Sequence, residues 1–155
     1  MNKRLFVFQG GWRFSLVVVA GLGLALAAVR ADLSGGAPAA SFEGKNTDEL
    51  LNVEKVIRDG LDKDPGNSEL WLHLGMVNRK LDRVEEAQRA FEQAARLGPK
   101  NANTHFMLGL IYEKKKMTDK AIAAWRTCLE NTQENQMRKI AEKHLKHLRE
   151  GTPIP

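Results

Sequence analysis

The sequence contains very little cysteine, since Cys128 is the single one among 155 residues. Because a lone thiol cannot form an intrachain disulfide, the fold must depend on packing and not on covalent cross-links. A paired-cysteine metal motif is excluded for the same reason. Cys128 lies at the repeat position that Ala94 occupies one unit earlier. We therefore expect a small buried core residue, because a reactive thiolate needs exposure and an electropositive setting.

Catalytic motifs are missing as well. The sequence has no glycine-rich phosphate loop, no GxSxG and no HExxH, and each absence removes a class of enzyme that depends on that motif. His144 and His147 lie three residues apart, but no further donor stands at a suitable spacing, so we interpret them as exposed on a polar helix face. We expect no enzymatic activity, no catalytic residue, no bound metal and no cofactor.

The positive charge is concentrated at one end of the chain. The formal net charge is +5, but residues 1–31 contain Lys3, Arg4, Arg13 and Arg30 and no acidic residue. The remaining basic residues nearly balance the 19 acidic ones. Phosphate neutralisation requires a concentrated basic surface, which a near-neutral body lacks. Nucleic acid is therefore not expected as a partner.

An uncharged apolar run extends from Phe14 to Val29. A basic start followed by such a run is typical of a secretory signal peptide or of an uncleaved signal anchor. As a helix, the run reaches about 24 Å, which is shorter than a hydrocarbon core of about 30 Å. Snorkelling of Arg13 and Arg30 extends the effective span. The two alternatives are therefore close, and we favour the anchor.

The N-terminal segment also predicts topology. We assign residues 1–31 to the anchor, with a transmembrane helix at about 14–30 that contacts the membrane, and keep cleavage near Ala31 as the alternative. Basic residues flank mainly the N-terminal side of the apolar run. The positive-inside rule therefore predicts that the N-terminus stays in the cytoplasm and that the chain after the run, the body of the protein, is exported. The expected location is the bacterial inner membrane, single-pass, with the body in the periplasm; cleavage would instead release a soluble periplasmic protein. Residues 32–45, rich in Gly, Pro, Ala and Ser, are a predicted flexible linker.

From residue 68 onward, apolar and small residues recur with a period of 34. In each unit, the first four of these residues have the spacing i, i+3, i+4 and i+7, which places them on one face of a helix. The residues that follow form a second apolar stripe. Each unit is therefore predicted to be a hairpin of two helices. Across the period, Trp71, Leu74, Gly75 and Asn78 align with His105, Leu108, Gly109 and Tyr112, and Ala87, Phe91 and Pro99 align with Ala121, Trp125 and Gln133.

This pattern resembles the tetratricopeptide-repeat (TPR) family, whose consensus is W-x2-L-G-x2-Y, then A-x3-F, then P. The resemblance covers the repeats at about 68–101 and 102–135 and implies an all-α fold of helix-turn-helix units. The chain departs from the consensus at Asn78, which replaces the aromatic residue, and at His105 and Gln133. The departures leave the register of the pattern intact.

The flanking sequence continues the array in incomplete form. Thr47–Leu61 resembles the second helix of a degenerate first repeat, and about 136–149 forms an amphipathic helix that we interpret as a cap. The predicted TPR domain thus spans 46–150 with a half repeat, two full repeats and a capping helix, and 151–155 is a tail. Because about three repeats are usually needed for stability, we expect a partner or self-association to supply the remainder.

The resemblance also implies where a partner binds. TPR arrays use the first-helix side of each repeat as a concave groove, and apolar residues off the packing face would line it. His73 and Met107 stand where members that bind acidic tails carry amides, so an amphipathic helix or an extended apolar segment of a protein is the better ligand. The predicted groove residues, expected to face solvent, are Leu72, Met76, Arg79, Lys80, Phe106, Leu110 and Lys114.

Together these features predict a protein-binding adaptor or scaffold, tethered to the membrane, that helps to assemble an envelope protein complex. Small anchored TPR proteins resemble assembly factors and accessory subunits of such complexes, which is an analogy of fold. One alternative is a constitutive accessory subunit of a larger membrane complex, and another is a cleaved, soluble exported protein.

Overall fold

The structure is a computed structural model that describes residues 44–151, and within that range it contains six α-helices and no strand. The all-α fold predicted from the repeat pattern is confirmed for this part of the chain. The helices are α1 (Thr47–Lys63), α2 (Ser68–Lys80), α3 (Val84–Leu97), α4 (Ala102–Lys114), α5 (Thr118–Asn131) and α6 (Asn135–Glu150).

Three helices begin at an asparagine cap. The side-chain oxygens of Asn46, Asn67 and Asn101 accept the backbone N–H three residues ahead, at 2.9, 3.2 and 3.2 Å. Such bonds satisfy a donor that the helix start leaves without an internal partner. α5, by contrast, begins at Thr118, and the Met117 that precedes it makes no side-chain cap bond.

The turn inside each hairpin is built in the same way in both repeats. Asp82 and Lys116, which lie 34 residues apart, adopt φ values of 56° and 57°. The following N–H groups, of Arg83 and Met117, donate to carbonyl oxygens at the end of the first helix at 2.9 and 2.8 Å. Neither α3 nor α5 has a side-chain cap bond, because Arg83 and Met117 at the cap positions carry no oxygen that could accept one.

The two helices of each hairpin approach closely because small residues lie between them. A Cβ built on Gly75 would lie 2.5 Å from Phe91 Cδ1, and one on Gly109 would lie 2.5 Å from Trp125 Cε2. Both rings are completely buried. At both positions only glycine leaves room for the facing ring.

A long side chain in the first helix of each repeat also bonds back to the preceding loop. Trp71 Nε1 donates to the carbonyl oxygen of Pro65 at 2.9 Å, and His105 Nε2 lies 2.8 Å from the carbonyl oxygen of Pro99. His105 therefore makes the same kind of contact as the consensus tryptophan. Trp71 itself was expected on the core face, but it is only half-buried.

The helices stack in chain order, each one packing on its neighbours. The amphipathic helix α6 closes the end of the array, where Met137, Ala141 and Leu145 are buried and the other side is charged. No helix within the described range 44–151 is long and apolar enough to cross a membrane. The predicted anchor and nearly all of the predicted linker fall in residues 1–43, and most of the tail in 152–155; both segments lie outside the described residues.

Candidate protein-binding surfaces

The predicted groove is less open on the first repeat than expected. Leu72 is 2% exposed and Met76 is 1% exposed, so the expectation that they face solvent is wrong. Every residue of α2 from Leu72 to Asn78 is buried. The reason is visible in the sequence: leucine, methionine and valine side chains lie around the whole of this helix, and a helix that is apolar on all sides is buried.

The basic rim of the predicted groove is partly engaged within the chain. Arg79 and Lys80 are half-buried, whereas Lys114 is exposed. The Lys114 ammonium lies 3.0 Å from the Asp82 carboxylate, an ion pair that joins the turn of the first repeat to the end of α4. Such an exposed pair adds little stability, so Lys114 can still exchange Asp82 for an acidic partner group.

On the second repeat, the predicted groove residues are more accessible. Phe106 and Leu110 are half-buried on α4. Phe106 meets Trp125 edge to face, with ring centroids 5.1 Å apart and planes at 90°. The expectation of a freely solvent-facing Phe106 is therefore corrected, because one edge of its ring supports the core. Trp125 is completely buried, as expected.

A polar cluster joins the second repeat to the capping helix. The Trp125 indole N–H donates to the Glu113 carboxylate, and His144 Nδ1 lies 2.8 Å from the same carboxylate oxygen. His144 also stacks on Trp125, with centroids 4.5 Å apart. The expectation that His144 is exposed on a polar face is wrong, and His147 is half-buried too. In residues 44–151 no three potential metal-ligating side chains cluster.

Two buried titratable groups are held neutral. Burial lowers the pKa of His73 to about 4, so the imidazole is uncharged at neutral pH. Burial raises the pKa of the Cys128 thiol to about 11, against the weaker effect of the Arg138 charge. Cys128 is fully buried, and it is therefore the inert core thiol that its repeat position predicts.

A second concave site lies on another side of the array, where α1, α2 and α3 meet, and sequence reasoning did not identify it. This cavity has a volume of about 390 Å³. Among its apolar lining residues, Trp71 is half-buried, whereas Leu74 and Ala90 are buried, and the buried Asn78 lies beside them. No periodic signal in the sequence identifies it, because its lining residues come from three helices. Arginines border the cavity: Arg58, Arg89 and Arg96.

Comparison with protein families agrees with this geometry. A family model described as Tetratricopeptide repeat matches residues 68–101, and a second model of the same description matches residues 90–123. Together with the paired hairpins and their glycine-to-ring contacts, these matches show that residues 68–123 of the chain consist of tetratricopeptide repeats. No curated protein matches the chain.

Solved structures share the fold at low sequence identity. The Yersinia enterocolitica type III secretion chaperone SycD, in complex with a peptide of the translocator YopD, has a TM-score of 0.65 and 13% identity, over 90% of this chain and 98% of SycD. PcrH, in complex with the chaperone binding region of PopD, has a TM-score of 0.64 and 12% identity, over 90% and 96% of the two chains. The Arabidopsis OM64 TPR domain has a TM-score of 0.61 and 16% identity, over 81% and 96%.

Proposed function

We propose that this protein is an adaptor that binds a segment of another protein through the first-helix side of its repeats. The observation that carries the proposal is that α4 keeps Phe106 and Leu110 partly accessible beside the exposed Lys114. Neighbouring apolar side chains that together form an accessible patch are typical of interaction sites, whereas single exposed ones are normal. Leu72 and Met76 would form the buried floor of this groove, and Arg79 and Lys80 its half-buried rim.

The expected ligand is an amphipathic helix or an extended apolar segment with an acidic group near Lys114. An apolar side chain of that segment would cover Leu110 and the free edge of Phe106, and its carboxylate would replace Asp82 on the lysine. Two of the similar structures, SycD and PcrH, are in complex with a peptide or a region of a partner protein. This supports a peptide-like ligand for the fold. The residues of the described range supply no positive sign of catalysis.

Replacing Leu110 with a photoreactive amino acid tests the groove. We expect crosslinking to a partner protein from Leu110 and none from the same replacement at Leu97, which is 40% exposed at the end of α3. Leu110→Glu should abolish copurification of the crosslinked partner, while Leu97→Glu retains it. Equal crosslinking from both positions, or full retention by a folded Leu110→Glu variant, would refute the groove.

We further propose that residues 14–30 anchor the adaptor in a bacterial inner membrane, with the repeats in the periplasm. There the adaptor helps to assemble an envelope protein complex. The support is the apolar run and the excess of basic residues on its N-terminal side. A reporter fused after Pro155 should be active only when exported, and activity only in the cytoplasm would reverse this topology. Recovery of the chain in the membrane pellet would distinguish the anchor from cleavage near Ala31.

A constitutive accessory subunit is the alternative, favoured by the short array, because a repeat protein this small gains stability from a permanent neighbour. Purification from detergent-solubilised membranes separates the two roles. Stoichiometric copurification that survives high salt indicates a subunit, and capture only after crosslinking indicates a transient adaptor.

A further inference from the structure

A carboxylate stands in the last turn of α4, beside the apolar residues of the proposed groove. Glu113 is the penultimate residue of this helix and follows Leu110 by one helical turn. A negative charge is disfavoured there, because the C-terminus of a helix carries the negative end of its dipole. The carboxylate is therefore held by contacts that come from outside its own helix.

Two contacts with other helices use only one oxygen of this carboxylate. The Trp125 indole N–H donates to Glu113 Oε1, and the His144 imidazole donates to the same oxygen from Nδ1, 2.8 Å away. His144 also stacks on the Trp125 ring, with centroids 4.5 Å apart. The carboxylate is thus fixed in position by α5 and by the capping helix α6.

The second oxygen, Oε2, is left for another donor. Within residues 44–151 it accepts no hydrogen bond, and it is not enclosed by protein, since 16% of the Glu113 side chain is exposed. The two lysines that follow in the chain are engaged elsewhere. Lys114 pairs with Asp82 in the turn of the first repeat, at 3.0 Å. Lys115 pairs with Glu85 near the start of α3, at 3.6 Å.

Accessible apolar side chains lie next to this oxygen. Phe106 and Leu110 are one turn apart on α4, and both are half-buried. The Phe106 ring lies 5.1 Å from the Trp125 ring, whose N–H reaches the carboxylate. The site therefore combines an apolar approach with one anionic end point. This combination fits a side chain that has an aliphatic stem and a cationic head.

We propose that the groove recognises a lysine of its partner segment. The lysine ammonium donates to Glu113 Oε2, and its stem lies along Leu110 and the free edge of Phe106. Because only one oxygen is free, the two parallel bonds by which arginine binds a carboxylate cannot form. A lysine ammonium is a point charge, and one acceptor is enough for it. This inference rests on the proposed function, since it uses the same groove, and it adds a residue type that the segment must carry.

The charges of the groove also give the bound segment a direction. Lys114 faces the turn of the first repeat through Asp82, whereas Glu113 faces α6 through His144. An acidic residue of the segment therefore lies towards the first repeat, and its lysine lies towards the capping helix.

The test uses the full-length chain in detergent and a fluorescein-labelled peptide, Gly-Glu-Leu-Ala-Leu-Lys-Leu-Gly, followed by fluorescence anisotropy. We expect saturable binding that weakens about tenfold or more when glutamine replaces the lysine of the peptide, because a charge-assisted hydrogen bond is lost. Arginine in its place should bind more weakly than lysine, and tighter binding would overturn the choice of lysine. Equal affinity of the lysine and glutamine peptides, or no saturable binding of the lysine peptide, would overturn the proposal.

Glu113→Gln is the decisive variant, because it removes the charge and keeps an oxygen that can accept from Trp125 and His144. It should no longer distinguish the lysine peptide from the glutamine peptide. Glu142→Gln removes the same charge at an exposed position of α6, and this matched control should retain the preference. An undiminished preference in a folded Glu113→Gln variant would overturn the proposal.

If Glu113→Gln does not fold, nuclear magnetic resonance of the unchanged protein replaces it. The Trp125 indole N–H donates to the carboxylate, so its resonance should shift when the lysine peptide saturates the protein. The absence of a shift at saturation would overturn the proposal.

Leu110→Ser separates this inference from the proposed groove. We expect it to weaken the lysine and glutamine peptides by the same factor, because both contact Leu110. If both affinities stay unchanged while the preference for lysine persists, the apolar groove fails and the pairing of lysine with Glu113 stands. If the two peptides bind equally and both weaken in Leu110→Ser, the groove stands and the lysine assignment is overturned.

Discussion

Gly75→Ala tests the packing of the first hairpin directly. The added Cβ would lie 2.5 Å from Phe91 Cδ1, whereas carbon atoms in contact are about 3.5–4.0 Å apart. Phe91 is 0% exposed and has no free space to enter, so α2 and α3 must separate by about 1 Å or more. Overpacking of this kind costs about 1–3 kcal/mol, and contact with several ring atoms places the cost near 3. Alanine regains about 1 kcal/mol of helix propensity, which leaves a net loss of about 2 kcal/mol.

The assay is thermal and urea unfolding followed by circular dichroism. For a body of about 100 residues, a loss of about 2 kcal/mol lowers the melting temperature by about 8–16 °C. Gly60→Ala is the matched control, because its Cβ would lie 3.0 Å from Leu70 Cδ1, the end of a flexible side chain. It should leave stability unchanged or raise it by up to about 1 kcal/mol. If Gly75→Ala is as stable as Gly60→Ala, the close approach of the helices does not constrain this hairpin.

Three further predictions concern the stability contribution or the accessibility of single side chains. Phe106→Ala should destabilise the free protein by about 1–3 kcal/mol, because the Phe106 ring supports Trp125, and Trp125→Ala should cost more, about 3–5 kcal/mol. Chemical denaturation of both variants tests this order. An equal loss of stability would place Phe106 in the core and remove it from the groove. The folded pKa of His73, about 4, lies below its ordinary 6.5, so its share of stability is complete above pH 6.5 and is lost as pH falls towards 4. The shift corresponds to about 3 kcal/mol, and His73→Leu should flatten this part of the pH dependence of urea unfolding; an unchanged slope would contradict it. Cys128 should react with a thiol reagent only at the rate of opening of the native protein, and fast labelling under native conditions would show that the thiol is accessible.

The repeat body could be predicted from the sequence because its signals are local or recur at a constant separation. A helix stripe such as Trp71, Leu74 and Gly75 is visible within two turns, and its recurrence 34 residues later identifies the unit. The pairing of Gly75 with Phe91 follows from the hairpin alone. For the same reason, the number of helices between Thr47 and Glu150 agrees with the prediction.

The candidate sites were predictable only in part, because burial depends on neighbours that are distant in sequence. A single stripe was interpreted as the core face of α2, yet Leu72 and Met76 on the other side are buried as well. His144 lies on a helix with a charged surface, and its partner, Glu113, is 31 residues away. No period links these two residues, so their contact could not be read from the pattern.

The sequence by itself determined that this protein is a helical repeat array, because hydrophobic periodicity and small residues at repeated positions specify helix hairpins that stack. It also showed Asn78 as a departure from the repeat. Only the tertiary structure decided the surroundings of this residue: with α1 and α3 packed on either side of α2, Asn78 is buried beside a cavity that is lined by Trp71 and bordered by arginines. A cavity is formed by surfaces from several helices together, and its shape therefore arises only when those helices are brought into contact.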